Sequence, residues 1–490
     1  MPAIDVDRRI DLGAALAHPF PGLRPFEPNE SFLFFGREAH TRELLRRLGE
    51  HRMLAVVGTS GSGKSSLVRA GLLPALYSGH LAGAGTGWRI AVMRPGSAPL
   101  DELAKSLGAV GGEPAAALRA RLGSTSLGLV DAARMTVGAS RENLLLVVDQ
   151  FEELFRFRRE RETADGGAEA SLFVASLLEA VEQLETPVYV AITMRSDFLG
   201  DCAQFTGLPE ALNQSQYLIP RLTREQRREA IEGPVRVAGA AIAPRLVQRL
   251  LNDAGDDPDQ LPILQHALMS TFRIWKEEGG PQIDLRHYDK AGGLRDALNR
   301  HAQSAYSRLT EASDRALCER IFRCLTTTEA GRAVRRPSRL GRIYGVVGAA
   351  SETERERVRM VLRLFMEADN SFLVASDPAL GDDAVIDISH ESLIRKWETL
   401  QDWVREEAES ASWYQDVLNS VRLRRTAEGG LWGDPELSTA LRRKKTDGWN
   451  EEWGEQYGAG EWAEAVSFLD ASAAKRRRTR LVAMAIVLVL

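Results

Sequence analysis

At 490 residues the chain is too long for one ordinary hydrophobic core and should fold as two or three packed units. Its 44% apolar and 27% charged residues suit a globular protein, and a net charge of −5 sets up no basic field of the kind that marks a nucleic-acid partner. The three cysteines, Cys202, Cys318 and Cys324, form no C-x-x-C pair; they exclude a disulfide framework, argue against a structural zinc site and fit a reducing cytoplasm.

In chain order, residues 1–20 read as a flexible tail. Its early charges, Asp5, Asp7, Arg8, Arg9 and Asp11, lack the layout of a secretory signal. Pro19, Pro21, Pro25 and Pro28 then make an extended entry segment. A helix should follow Gly36, burying Leu44, Leu45 and Leu48. Met53 to Val57 is a short apolar run that reads as a buried strand, and Trp88 to Met93, Leu144 to Val148 and Val188 to Thr193 repeat the type. Helical stretches lie between them, so residues 21–221 predict a parallel sheet covered on both faces. From Leu222 the strand signal stops, and 222–285 read as helices broken near Gly255 to Pro258 and again at Pro262. Over 286–405, two helices (Leu317 to Leu325, Val358 to Phe365) precede a hairpin of Ser371 to Ser376 and Ala384 to His390. Helices followed by a hairpin suggest a winged helix. Residues 406–474 read as a helical, Trp-rich extension. Over 475–490, the cationic run Lys475 to Arg480 precedes the unbroken apolar run Leu481 to Leu490; at half the length of a span it reads as the start of a transmembrane helix, with a short apolar tail on a basic amphipathic helix as the other reading.

The densest chemistry lies after the first strand. Gly58-Thr59-Ser60-Gly61-Ser62-Gly63-Lys64-Ser65 fits G-x-x-x-x-G-K-[ST], with Ser66 next in line. Glycines let the backbone curl so that successive N–H groups face phosphates, and the helix that follows adds its N-terminal dipole. Lys64 should reach the β and γ phosphates of ATP, and Ser65 should ligate Mg²⁺. The second acid that such a metal site needs is Asp149, at the end of an apolar strand. Glu152 and Glu153 follow at three and four residues, where a helix would turn them back toward Asp149. Either could orient the attacking water, with Glu153 tried first and Glu152 as the fallback, or both could be first-turn acids of that helix. Arg195 ends the next strand and is read as a γ-phosphate contact, with a surface pair to Asp197 as the other reading.

These residues, together with Pro21 to Phe26, Phe35-Gly36-Arg37-Glu38, Val148 to Phe155, Gln260 to Leu268 and Ser389 to Trp397, resemble the bacterial STAND NTPases of the novel type, over about residues 20–405. The resemblance implies an AAA+/STAND-like core followed by a helical lid, a winged helix and a helical extension. It implies a switch: ADP holds a closed monomer, a trigger lets ATP replace ADP, and the opened protein self-oligomerises. It places Arg37 over the adenine and ribose, Pro262 on the base as the lid proline, Arg195 as a sensor arginine and His390 on the ADP β-phosphate. Gln150 departs from the pattern, since many AAA+ proteins carry their catalytic Glu there, so hydrolysis should be slow or use Glu152 or Glu153. A sensor array and an effector domain are not legible, and the chain reads as the switch module of a larger protein. The competing reading is a DNA-associated AAA+ ATPase, drawn from Arg332, Arg335, Arg336, Arg339 and Arg342 on the winged helix.

Overall fold

Consecutive rather than alternating apolar residues make Met53–Gly58 a strand buried on both faces. It is β1 of a five-stranded sheet with β2 (Trp88–Met93), β3 (Asn143–Val148), β4 (Val188–Arg195) and β5 (Gln216–Leu218), in the order β2-β3-β4-β1-β5. All four pairings are parallel. The computed structural model describes residues 12–138, 142–155, 164–183, 185, 187–255, 260–329, 331–367, 370–426 and 429–489.

Successive side chains of each strand serve opposite cores. Met53, Ala55 and Val57 pack with Leu144, Leu146 and Val148 beneath Phe173 and Leu177 of the helix Ala164–Glu182. Leu54 and Val56 pack with Leu145 and Val147 beneath Leu44, Leu45 and Leu48 of the helix Glu38–His51. The result is the α/β P-loop class with a doubly covered parallel sheet. The strand β5 was not anticipated: it has three residues, and Leu218 is exposed, so it carries no run of buried apolar positions.

After the sheet come the helices Arg224–Val237, Pro244–Asp253, Gln260–Glu278 and Leu285–Ala291. The first opens with a reciprocal box between Thr223 and Gln226. They share a core of Ile231, Val247, Leu250, Leu264, Phe272 and Tyr288. The last of them is tied back when the Tyr288 hydroxyl donates to Asp253 at 2.9 Å. The break expected at Pro262 does not occur. Pro262 sits in the first turn of Gln260–Glu278, where a backbone N–H would have no intrahelical acceptor and its loss costs nothing. Pro258, the other expected breaker, lies outside the described residues.

The chain divides into two compact units, Met1–Leu298 and Asn299–Leu490. The second begins its ordered sequence of elements with the helix Ala312–Cys324, followed by a hairpin of β6 (Thr326–Glu329) and β7 (Arg332–Arg335). Then come β8 (Ser338–Arg339), the helices Leu340–Val347 and Glu352–Met366, and the strands β9 (Leu373–Ala375) and β10 (Val385–Ile388). β10 pairs antiparallel with both β8 and β9. Helix, strand, two helices and a two-stranded wing are the winged-helix layout. The β6–β7 hairpin is an insertion within it that the threonine-rich, weakly apolar sequence did not reveal. The Phe322 ring sits 5.0 Å from Phe365 and 5.2 Å from Trp397 at the centre of this module.

The extension is helical, with Glu398–Arg425, Glu436–Thr446 and Trp462–Val489 as its long pieces. It holds a buried carboxylate: Glu407 Oε1 accepts from Trp453 Nε1 at 2.7 Å and from the Tyr457 hydroxyl at 2.6 Å. Among the described residues no helix is long and apolar enough to cross a membrane. The apolar residues after Leu481 continue the same helix that carries Glu464, Asp470 and the cationic run from Lys475 to Arg480. Charges on that run are partly used inside the unit, where Arg476 and Arg480 both meet Asp434, at 2.8 and 3.0 Å.

Candidate functional site

Parallel strands end together, so the sheet delivers three sequence-selected positions to one edge. Gly58 ends β1 beside Arg195 of β4, and Val148 of β3, just before Asp149, pairs with Ile192 of β4. Beyond Gly58 the backbone turns through Thr59 to Gly63 and enters a helix at Lys64. Gly63 makes the entry in the left-handed region, at φ 89°, which side chains rarely adopt. The helix continues through a wide π-type turn, Leu67–Leu72, into Leu73–Tyr77.

Asp149 is buried and fully engaged. Its Oδ1 accepts from the Ser65 hydroxyl at 2.9 Å and from the Thr193 hydroxyl at 2.6 Å. Its Oδ2 accepts from Arg69 at 3.1 Å. Burial alone would raise this carboxyl; the charges of Arg69 and Arg94 and the two hydroxyl donors outweigh it and hold the pKa at about 2. Asp149 is therefore an anion at any physiological pH. The pairing of Ser65 with Asp149 brings together the two residues chosen from sequence for Mg²⁺.

The two glutamates have different surroundings. Glu152 is buried, and its Oε2 accepts the backbone N–H of Arg195 at 3.3 Å. Burial pushes its carboxyl up, against the opposing pull of the Lys64 ammonium and of backbone N–H groups, including that of Arg195. Glu153 faces the loop after β2, where its Oε2 accepts the N–H of Gly96 at 3.0 Å. With the amide of Gln150 oriented to satisfy both its ends, Gln150 donates to Glu153 Oε1 at 3.0 Å and accepts from Arg94 at 3.3 Å. Gln150 holds φ at 60°, a left-handed value that costs a non-glycine residue about 1 kcal/mol. The backbone from Gln150 to Phe155 runs in tight turns, with Glu153 N–H to Gln150 O and Phe155 N–H to Glu152 O.

Lys64 Nζ donates to Gly58 O at 3.0 Å and Thr59 O at 2.8 Å, which curls it over the loop it belongs to. Arg195 pairs with Asp197 at 2.6 Å and lies over the Phe198 ring, so its observed partner is the acid two residues on. Arg37 is buried; it donates to Ser62 O at 3.1 Å and to Pro220 O at 2.9 Å, fastening the phosphate loop to the segment after β5. Burial lowers its guanidinium to about 10. Ser66 accepts the backbone N–H of Phe26 at 3.2 Å. Pro262 follows Leu261, whose side chain is the nearest neighbour of Gly63: a Cβ placed there would stand 3.8 Å from Leu261 Cδ1. The start of the helix Gln260–Glu278 thus borders the phosphate loop.

His390, in the second unit, caps the helix Glu391–Lys396: its Nδ1 accepts the backbone N–H of Ser392 at 3.1 Å. Of the five winged-helix arginines, two serve the interior. Arg335 donates to Asp387 at 2.7 Å, and Arg336 donates to Cys324 O at 2.9 Å while lying over Tyr457. Neither is presented as a phosphate contact, which removes part of the basis for a DNA-binding wing.

Two partners of Asp149 escaped the sequence reading. Thr193 sits in an apolar strand and gives no polar pattern. Arg69 lies one turn beyond Ser65, and only that four-residue spacing on one helix face could have singled it out.

The donor set fits a nucleotide with its cation. The Ser62 hydroxyl is buried within the phosphate loop with no hydrogen-bond partner among the described residues. Among the described residues no cluster of three or more His, Cys, Asp or Glu could hold a metal. A hydroxyl and one carboxylate, completed by phosphate oxygens and water, is the environment Mg²⁺ takes with nucleotides.

A family model described as Novel STAND NTPase 1 matches residues 19–427. Among solved structures, the Aeropyrum pernix ORC2 protein in ADPNP–ADP complexes is similar at 13% identity and a TM-score of 0.44, over 76% of this chain and 93% of that one. Drosophila ORC bound to DNA follows at 14% and 0.38, over 81% and 93%. The E. coli MS115-1 HORMA:CdnC:Trip13 complex follows at 16% and 0.37, over 54% and 91%. A search of curated proteins finds no match.

Proposed function

The chain belongs to the Novel STAND NTPase 1 family, and from that premise we propose that it is a switch that binds ATP or ADP with Mg²⁺, hydrolyses ATP slowly, and couples the bound nucleotide to opening and self-oligomerisation. The observation that carries the reading is Ser65 and Asp149 held together at 2.9 Å at the mouth of the phosphate loop. Bound Mg²⁺ would neutralise phosphate charge and polarise the γ-phosphoryl group.

The chain's own residues divide the remaining work. The N–H groups from Thr59 to Ser66 and the Lys64 ammonium cradle the phosphates. Ser65 and Asp149 hold the cation. Glu152, raised by burial and facing Lys64, orients the attacking water, and its raised affinity for protons suits it to accept one. Glu153 holds the loop at Gly96 and keeps the water-side acid in place. Arg195 leaves Asp197 for the γ-phosphate when ATP replaces ADP. Pro262, beside Leu261 on the phosphate loop, closes on the base, and Arg37 fixes the loop from behind. His390 is assigned to the ADP-bound state, through the resemblance of Ser389 to Trp397 to the family's pattern.

The test is calorimetric titration of ADP with and without Mg²⁺, on the parent and on Asp149→Asn and Lys64→Ala, beside light scattering in ADP and in ATP. Lys64→Ala should lose about 10- to 150-fold in affinity, the worth of a charge-assisted contact. Asp149→Asn should lose the gain that Mg²⁺ brings. Parental affinity in Lys64→Ala would end the reading of the loop, and equal mass in ADP and ATP would end the oligomerisation.

A further inference from the structure

The proline-rich segment that enters the fold has no chemistry of its own, yet it touches two parts of the nucleotide-binding unit. Phe20 is buried in the core of the helices that follow the sheet, 6.3 Å from Phe272. Gly22, at φ 72°, lies so close to Met269 that a Cβ would stand 2.9 Å from its sulfur. Further along, Phe26 and Leu33 pack with Ala70 of the phosphate-loop helix. Phe26 N–H donates to Ser66. Arg24 forks onto Glu30 at 2.7 and 2.6 Å, and Glu30 also accepts the N–H of Glu27 at 2.9 Å, so the segment is stiffened internally. It is a strap from the lid helix Gln260–Glu278 to the helix after the phosphate loop.

Arg69 ties that strap to the metal-site acid. One arm of its guanidinium donates to Glu27 at 2.7 Å and the other to Asp149 at 3.1 Å, and its side chain is 7% exposed. A buried cation between two carboxylates must divide its charge between them, and whatever strengthens one pair weakens the other. A second cation approaching Asp149 repels Arg69 and favours its contact with Glu27. By linkage, a stronger contact with Glu27 favours the cation at Asp149 by the same factor.

We propose that Arg69 is a positioning residue for Asp149 that shares its charge with Glu27, so that cation binding at Asp149 tightens the strap and, through Phe20, bears on the lid. The proposal rests on the reading of Asp149 as the Mg²⁺-binding acid. It assigns the entry segment a task, and it predicts that two substitutions at one ion-pair network move cation affinity in opposite directions.

The experiment follows a fluorescent ADP binding to the full chain as Mg²⁺ is raised, on the parent, Glu27→Gln and Arg69→Met. Glu27 is 37% exposed, so Glu27→Gln should fold. With Glu27 neutral, the balance of the Arg69 charge shifts toward Asp149, and the half-saturating Mg²⁺ concentration should rise about fivefold. Arg69→Met keeps an apolar stem and frees Asp149, so that concentration should fall by a similar factor, while the nucleotide-free, metal-free protein melts at lower temperature. Hydrogen exchange gives a readout on the strap: Mg²⁺ with ADP should protect the Phe26 amide in the parent and less in Glu27→Gln. A parental Mg²⁺ midpoint in Glu27→Gln overturns the coupling, as does a shift of both variants in one direction, with the site reading left standing. No effect of Mg²⁺ on ADP affinity in the parent overturns both.

Discussion

The Thr193 hydroxyl donates to Asp149 Oδ1 at 2.6 Å, and its own Oγ1 accepts the backbone N–H of Gln150 at 3.0 Å. One buried hydroxyl thus satisfies both the Asp149 carboxylate and the donor of the left-handed residue beside it. Thr193→Val keeps the shape and removes the oxygen. The Gln150 N–H is then orphaned and Asp149 loses a donor, which should cost about 1–3 kcal/mol. Thr193→Ser should restore most of it. Urea denaturation is the measurement, and a Thr193→Val midpoint equal to the parent's would show that the hydroxyl carries no such weight.

The two buried acids give stability opposite dependences on pH. Asp149 is depressed from 3.8 to about 2, so its contribution is present above pH 3.8 and is lost as pH falls through about 2. The shift corresponds to about 2 kcal/mol. Glu152 is raised above 4.5, so its contribution is complete below that value and is lost as pH rises through its folded pKa. Asp149→Asn should therefore flatten the acid limb of the stability profile. Glu152→Gln should gain on the parent as pH climbs above 4.5. Melting temperatures across pH for the three proteins check both signs, and a Glu152→Gln curve parallel to the parent's would refute the second.

Much of this arrangement was legible before any coordinates. Met53 to Val57, Trp88 to Met93, Leu144 to Val148 and Val188 to Thr193 announce themselves because strands buried on both faces are unbroken apolar runs. The phosphate loop follows from its glycines. The strand Gln216–Leu218 was not legible, because an edge strand of three half-exposed residues needs no apolar run. The hairpin Thr326–Glu329 with Arg332–Arg335 was hidden for a similar reason, and its arginines were misleading: Arg335 is an interior ion-pair partner of Asp387. Spacing could bring Glu152 and Glu153 near Asp149 but gave no physical ground for ranking them, and the order it suggested, Glu153 before Glu152, is the reverse of the one proposed here. Their distinction comes from which backbone N–H each accepts, Arg195 for one and Gly96 for the other, and those contacts join segments about 40 and 60 residues apart in sequence.

That distinction orders the catalytic candidates. Glu152→Gln should slow ATP turnover by about 10²- to 10⁴-fold, the usual worth of a positioned general base, with ADP affinity unchanged. Glu153→Gln should act on the loop at Gly96, weakening the fold more than the chemical step. Single-turnover hydrolysis beside equilibrium binding separates the two. Parental turnover in Glu152→Gln would reverse the assignment.

His390 can be dissected because its two roles ask for different chemistry. As a helix cap it needs only an acceptor for the Ser392 N–H, which Nδ1 provides at 3.1 Å. Asparagine is among the best residues for that task, whereas alanine gives no acceptor and costs about 1 kcal/mol at such a position. As a contact to ADP it needs the imidazole ring itself. His390→Asn should therefore keep the parental melting temperature, and His390→Ala should lower it. If the ring also holds ADP, both variants should release a fluorescent ADP about 10-fold faster, as loss of one charge-assisted bond requires, and both should self-associate more readily. Stopped-flow release, read beside the melting curves, decides the matter. Parental release from His390→Asn, together with a lowered melting temperature in His390→Ala alone, would make His390 a capping residue and nothing more.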